Sequence, residues 1–274
     1  LTRASVFMTL EALGFLPRDL DMIASFLKKP HGIILVTGPT GSGKSTTLYA
    51  SLNRLNSVDR KTITIEDPIE YQLRGITQMQ VQPQIGFDFS KGLRSMLRHD
   101  PDVMMVGEIR DYETAEMAIR SSLTGHLVFS TLHTNDAAGA VTRLTDMGVE
   151  PFLIASTMIA SIAQRLVRKV CVHCAEPMTP DPATLKELRV TAAEVENANY
   201  RQGRGCEACR HTGYSGRIAI AEILPFTQEI KEDGSQIMIL KIESKLKQKL
   251  YLDAKMTVPG KKGIYETSIL PVEP

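Results

Sequence analysis

A chain of 274 residues with 43% hydrophobic content can bury one large core or two modest ones. Its net charge of +1 gives no global pull toward nucleic acid or anionic lipid, and no apolar run reaches membrane-spanning length. No signal-peptide pattern stands at its start, and because the chain opens on Leu1 in mid-pattern it is expected to be a piece of a longer protein.

In residues 1–30, Leu20, Ile23, Ala24 and Leu27 share one helical face between Pro17 and Pro30, which predicts a structural lead-in helix. The run His31-Gly-Ile-Ile-Leu-Val-Thr37 reads as a buried strand. It leads into Gly38-Pro39-Thr40-Gly41-Ser42-Gly43-Lys44-Ser45-Thr46, which satisfies G-x-x-x-x-G-K-[ST]. Leu48 and Leu52 then repeat at i, i+4, so strand, glycine loop and helix occur in the order that a phosphate-binding loop requires. The glycines let backbone N–H groups turn onto a phosphate chain, and the helix N-terminus adds positive potential. In that arrangement Lys44 reaches the β- and γ-phosphates and the Ser45 hydroxyl ligates Mg²⁺, so ATP with Mg²⁺ is the expected ligand.

Lys61-Thr-Ile-Thr-Ile65 alternates as a strand and ends in Glu66-Asp67-Pro68-Ile69-Glu70, three carboxylates just past a strand that is expected to neighbour the loop strand. One of them is expected to orient an attacking water and another to hold the metal's water shell. Residues 71–89 read as short strands and turns. Ser90 is the expected cap of a helix burying Leu93, Met96 and Leu97, with Lys91, Arg94 and Arg98 on its other face. Asp102-Val-Met-Met-Val-Gly-Glu108 is a buried strand delivering a carboxylate, the Walker B pattern, and Arg110 follows it. Asp111 should cap a helix that ends near Gly125. The next strand, His126–Ser130, is flanked by His126 and His133 and is expected to bring both to one sheet edge as γ-phosphate sensors. Pro151 is expected to open a buried helix over 152–164. The alternation of strands and helices predicts an α/β fold with a mostly parallel sheet, covering residues 31–168.

Residues 169–217 hold Cys171-x-x-Cys174 and Cys206-x-x-Cys209, with 31 residues between the pairs. Two such knuckles supply four thiolates for a tetrahedral, structural Zn²⁺, and residues 218–274 are left as a small C-terminal region.

The stretch Pro30–Tyr49, with Ile65-Glu-Asp-Pro-Ile-Glu70, Leu97–Asp111 and Thr124–Asn135, resembles the Walker A, aspartate-box, Walker B and histidine-box motifs of the secretion-system traffic ATPases. The tetracysteine module is similar to that of the type II secretion and type IV pilus assembly branches, the general secretion pathway protein E-like group. The resemblance covers roughly residues 5–230 and implies a RecA-like P-loop core, an N-terminal region missing here, and a homo-hexamer. It places that hexamer at the cytoplasmic side of a bacterial inner membrane, held there through platform proteins, where it powers pseudopilus or pilus assembly. It implies Glu66 as the residue that orients or deprotonates water, Glu108 as the Walker B carboxylate, Arg98 and Arg110 as charge-stabilising arginines, and His126 and His133 as sensors. Residues from about 231 onward match the family poorly. A nucleotide-binding scaffold without turnover is one alternative. A nucleic-acid translocase is another, opposed by the near-neutral charge and the lack of a basic, aromatic-rich stripe.

Overall fold

The computed structural model describes residues 9–187, 195, 198–228 and 230. Helix α1 (Pro17–Leu27) opens on a proline, whose missing N–H costs nothing at that position, and it buries Ile23, Phe26 and Leu27. Strand β1 (Gly32–Thr37) is buried at every position, and α2 (Lys44–Leu55) buries Leu48 and Leu52 as their spacing predicts. Just ahead of α1, Glu11 pairs with Arg54 of α2 at 2.8 Å, tying the lead-in segment to that helix.

The chain continues through β2 (Thr62–Glu66), β3 (Thr77–Gln80), α3 (Phe89–Leu97), β4 (Val103–Val106) and α4 (Tyr112–Leu123). Then come β5 (Leu127–Leu132), α5 (Gly139–Asp146), α6 (Pro151–Thr157) and β6 (Met158–Val170). The segment that follows holds β7 (Ala175–Pro177), α7 (Pro182–Glu187), β8 (Arg201–Gly203) and β9 (Tyr214–Pro225). The main sheet has seven strands in the order β3-β2-β4-β5-β1-β6-β9. Every pairing from β3 to β6 is parallel, so the loops that follow these strands all leave from one edge. The first expectation, an α/β fold with a mostly parallel sheet, holds.

Three sequence readings change. Strand β2, expected to neighbour β1, is separated from it by β4 and β5. The predicted helix over 152–164 stops at Thr157, and residues 158–164 are instead a strand buried at every position. A strand covered on both faces is apolar without alternation, so its pattern is indistinguishable from that of a buried helix. The cap of α3 is Asp88, whose carboxylate accepts the Lys91 N–H at 2.8 Å, and not Ser90, which lies inside the first turn. Asp111 caps α4 as expected, accepting from the Thr114 N–H at 2.8 Å.

The described residues divide into two compact units. One runs to Arg165 and resumes at Ala219, and the other runs from Leu166 to Ile218. In the first, the residues from Ala219 to Pro225 lie in β9, the edge strand of the main sheet, so part of the expected C-terminal region belongs to that sheet. Residues 231–274 lie outside the described residues. Among the described residues no helix is long and apolar enough to cross a membrane.

Candidate nucleotide site and cysteine cluster

The glycine-rich loop leaves the end of β1 and runs into α2, with Gly38, Gly41 and Gly43 at φ of 139°, 78° and 87°. Gly38 has a second reason to be glycine: a Cβ there would stand 2.4 Å from the Gln164 carbonyl and 2.7 Å from Ser42 Oγ. The loop is braced from β6. The buried amide of Gln164 accepts from Thr47 Oγ1 at 2.6 Å and donates to the Ser42 carbonyl at 2.8 Å. Lys44 Nζ donates to the Gly38 and Pro39 carbonyls at 2.8 and 3.1 Å, so its ammonium lies over the mouth of the loop. Pro39, Thr40 and Ser45 are exposed and Thr46 is half-buried at the start of α2, with no hydrogen bond to the Ser45 hydroxyl among the described residues.

Two carboxylates reach the same sheet edge in different surroundings. Glu108, just past β4, pairs with Arg110 Nε, and its other oxygen lies 3.7 Å from His133 Nε2 at the end of β5. Burial alone pushes the Glu108 pKa up, but the Arg110 hydrogen bond and charge, with the charges of His133 and Lys44, bring it below the usual carboxylate range. Lys44 responds in the opposite way. Desolvation lowers its pKa, and the Glu108 charge partly offsets that. Arg110 Nη1 also reaches toward Asp67 at 3.9 Å. Gly107 is hydrogen-bonded through its N–H to the Ile65 carbonyl at 2.8 Å, which brings the Glu108 turn against the end of β2.

Glu66, the last residue of β2, is 4% exposed and is held by neutral donors. Tyr49 Oη donates to Oε2, while Thr64 Oγ1 and Gln78 Nε2 donate to Oε1 at 2.5 and 3.0 Å.

Arg98 and His126 do not join this group. Arg98 follows the end of α3, where the chain turns toward the start of β4, and it is exposed with no side-chain partner among the described residues. His126 precedes β5 and its Nδ1 contacts the Ser121 carbonyl at 2.8 Å and Thr124 Oγ1 at 3.1 Å. Because β5 runs parallel to β1, with Gly32 opposite Leu127 and Thr37 opposite Leu132, His126 sits at the sheet edge away from the loop. Seven residue steps at about 3.3 Å each put it about 23 Å from His133. The expectation of two histidines at one edge therefore fails, since residues flanking a strand lie at its opposite ends.

In the second unit, the four cysteine sulfurs lie within 4.8 Å of one another and none is in a disulfide. The pairs Cys171–Cys206, Cys174–Cys209 and Cys206–Cys209 stand 3.9, 3.8 and 3.7 Å apart. Four thiolates about 2.3 Å from a tetrahedral Zn²⁺ would be about 3.8 Å apart, so the donor set fits that ion. The N–H groups of Cys206 and Gly213 donate to Cys209 Sγ at 3.2 and 3.3 Å, and these hydrogen bonds help bring that thiol down to about 6. Burial pushes Cys174 up to about 12. The knuckles meet because Gly203 and Gly213 pack backbone to backbone, where a Cβ on Gly203 would lie 2.0 Å from the Gly213 carbonyl oxygen.

A family model described as "Type II/IV secretion system protein" matches residues 1–266. The chain belongs to this family. It is 52% identical over 231 residues to the type IV pilus assembly ATPase PilB of Thermus thermophilus, a match covering 84% of this chain and 26% of that protein. It is 51% identical over 233 residues to the type II secretion system protein E of Aeromonas hydrophila, covering 85% of this chain and 46% of that one. The chain thus spans less than half the length of these relatives. Among solved structures, the Legionella pneumophila ATPase DotB superposes with a TM-score of 0.67 at 26% identity, over 95% of this chain and 63% of that one. The pilus retraction motor PilT, solved with bound ADP, gives 0.61 at 30% identity, over 93% of this chain and 62% of that one.

The sequence reading missed Tyr49, Thr64, Gln78 and Gln164. Gln164 carried one available signal, an amide side chain closing an apolar run interrupted only by Ser156, Thr157 and Ser161.

Proposed function

We propose that this chain is the nucleotide-hydrolysing RecA-like core of a motor ATPase that powers pseudopilus assembly and protein export in a type II secretion system. The observation that carries the reading is the convergence of the glycine-rich loop, Glu66 and Glu108 at one edge of a parallel sheet. Residues 38–46 hold the triphosphate with backbone N–H groups, and Lys44 exchanges its loop carbonyls for phosphate oxygens. The Ser45 hydroxyl and the ionised Glu108 would hold Mg²⁺ and its water shell, and the ion when bound neutralises charge on the phosphates. Carboxylates in unlike surroundings take unlike roles. Glu108, among cations, faces the metal and phosphates. Glu66, among neutral donors, orients the attacking water. Arg110 and His133, next to Glu108, are placed to respond when the γ-phosphate leaves.

Cys171, Cys174, Cys206 and Cys209 form a closed structural Zn²⁺ site, and zinc when bound ties the two knuckles together. The assembly is a homo-hexamer, peripheral to the inner membrane on its cytoplasmic side through platform proteins. Type IV pilus assembly is the second reading, favoured by the 52% identity to PilB.

Binding of a fluorescent ADP analogue to the wild-type chain and to Lys44→Ala tests the site. Saturable binding that the substitution weakens at least about tenfold, about 1.4 kcal/mol, is expected. Equal binding by both would overturn the assignment of the loop.

A further inference from the structure

Glu66 is enclosed, and the groups that enclose it leave it one use. A carboxylate offers about four acceptor positions. Thr64 and Gln78 occupy two on Oε1, and Tyr49 occupies one on Oε2. The open position is therefore on Oε2, the oxygen that Tyr49 holds.

Tyr49 is itself fixed. It lies one helical turn beyond Ser45 on α2, at i, i+4, so its side chain shares a helix face with the loop residue proposed to bind Mg²⁺. It is 5% exposed, and Tyr71 packs against its ring edge-on, with centroids 5.5 Å apart. The Glu70 N–H donates to the Tyr49 oxygen at 3.2 Å, which leaves the phenol proton for Glu66. Burial, reinforced by the Glu66 hydrogen bond and charge, pushes the Tyr49 pKa up, so the hydroxyl remains a donor through neutral pH.

We infer that Tyr49 is a positioning residue for hydrolysis: it couples the phosphate-binding helix to Glu66 so that the open lone pair of Oε2 holds the attacking water. This rests on the proposed role of Glu66. In the step it serves, the water oxygen bonds to the γ-phosphorus while the β–γ bridging P–O bond breaks and its electron pair leaves with ADP. The water proton passes to Glu66 Oε2 and then to solvent. The hydrogen bond runs from the helix that carries the phosphates to the base, so a shift of either end displaces the water. A displacement of about 1 Å can cost about a hundredfold in rate.

The test measures steady-state ATP turnover and ADP affinity for wild type, Tyr49→Phe, Glu66→Gln and the double variant. In Tyr49→Phe, kcat should fall about tenfold to a hundredfold with KM and ADP affinity within about twofold of wild type. The double variant should match Glu66→Gln, because a residue acting through Glu66 has nothing to position once the carboxylate is gone. A Tyr49→Phe chain as fast as wild type, beside a silent Glu66→Gln, overturns the inference and leaves the role of Glu66 standing. Wild-type turnover by Glu66→Gln, or none by wild type, overturns both. If Tyr49→Phe loses the folded circular dichroism spectrum, Tyr49→His, which keeps a ring and a donor, completes the same cycle. Partial turnover in Tyr49→His, with no further loss when the same substitution is added to Glu66→Gln, supports the inference. A kcat loss of the same factor in both backgrounds overturns it.

Discussion

Gln164→Leu removes the amide that braces the phosphate-binding loop while keeping similar volume. Two buried groups then lose their partners: the Thr47 hydroxyl, in a residue 1% exposed, and the carbonyl of Ser42, in one 4% exposed. At about 1–3 kcal/mol per orphaned group, the expected loss of stability is about 2–6 kcal/mol. If about half of that reappears as the cost of ordering the loop on phosphate, the ADP dissociation constant rises about fivefold to about 150-fold. Thr47→Val should cost about 1–3 kcal/mol, and the pair together less than the sum, since both act on one hydrogen bond. The chain has no tryptophan, so urea unfolding is followed by circular dichroism at the helical minimum, with ADP affinity by calorimetry. A Gln164→Leu chain that loses less than about 1 kcal/mol and binds ADP as wild type does would refute the brace.

Two further outcomes follow from the charged groups. Because the folded pKa of Glu108 lies below its unfolded value, its ionisation adds stability above the usual carboxylate range that is lost as pH falls through the folded value. Arg110→Ala removes the main opposing cation. With the Arg110 side chain 58% exposed, the wild-type advantage at pH 7 should be under about 1 kcal/mol, shrinking as pH falls below about 4. Unfolding midpoints across that pH range check this, and a gap that widens toward low pH contradicts it. For the cysteine cluster, metal analysis of purified chain should find about one zinc per chain, lost in Cys209→Ser and retained less well as pH falls, because protons compete with the metal for the thiolates. Zinc-free wild type that keeps the folded spectrum would contradict the site.

What was legible in the sequence was local. The glycine loop, the Asp111 cap and the paired cysteines each depend on residues within one turn or one loop, so spacing alone located them. What was not legible depends on strand order and strand direction. His126 and His133 read as a pair because they flank one strand, yet parallel pairing sends them to opposite edges. Arg98 reads as one of three basic residues on a helix face. Its position at the end of α3 takes it away from the loop, while Arg94 is engaged with Glu113 and Ser90. The donors around Glu66 come from α2, β2 and β3, three elements whose meeting no spacing rule encodes. The 158–164 stretch was misread as helix for a related reason, since burial by neighbours on both faces erases the period that distinguishes a strand. Gln164 could be read as a brace only after that stretch was placed beside β1.

The central claim is that the groups gathered at the loop edge hydrolyse ATP within an assembly. The measurement that tests it most directly is Mg²⁺-dependent ATP turnover across a protein concentration series, wild type beside Glu108→Gln. The account predicts specific activity that rises with concentration and is abolished in the variant. Turnover that is flat with concentration and indifferent to Glu108 would contradict it.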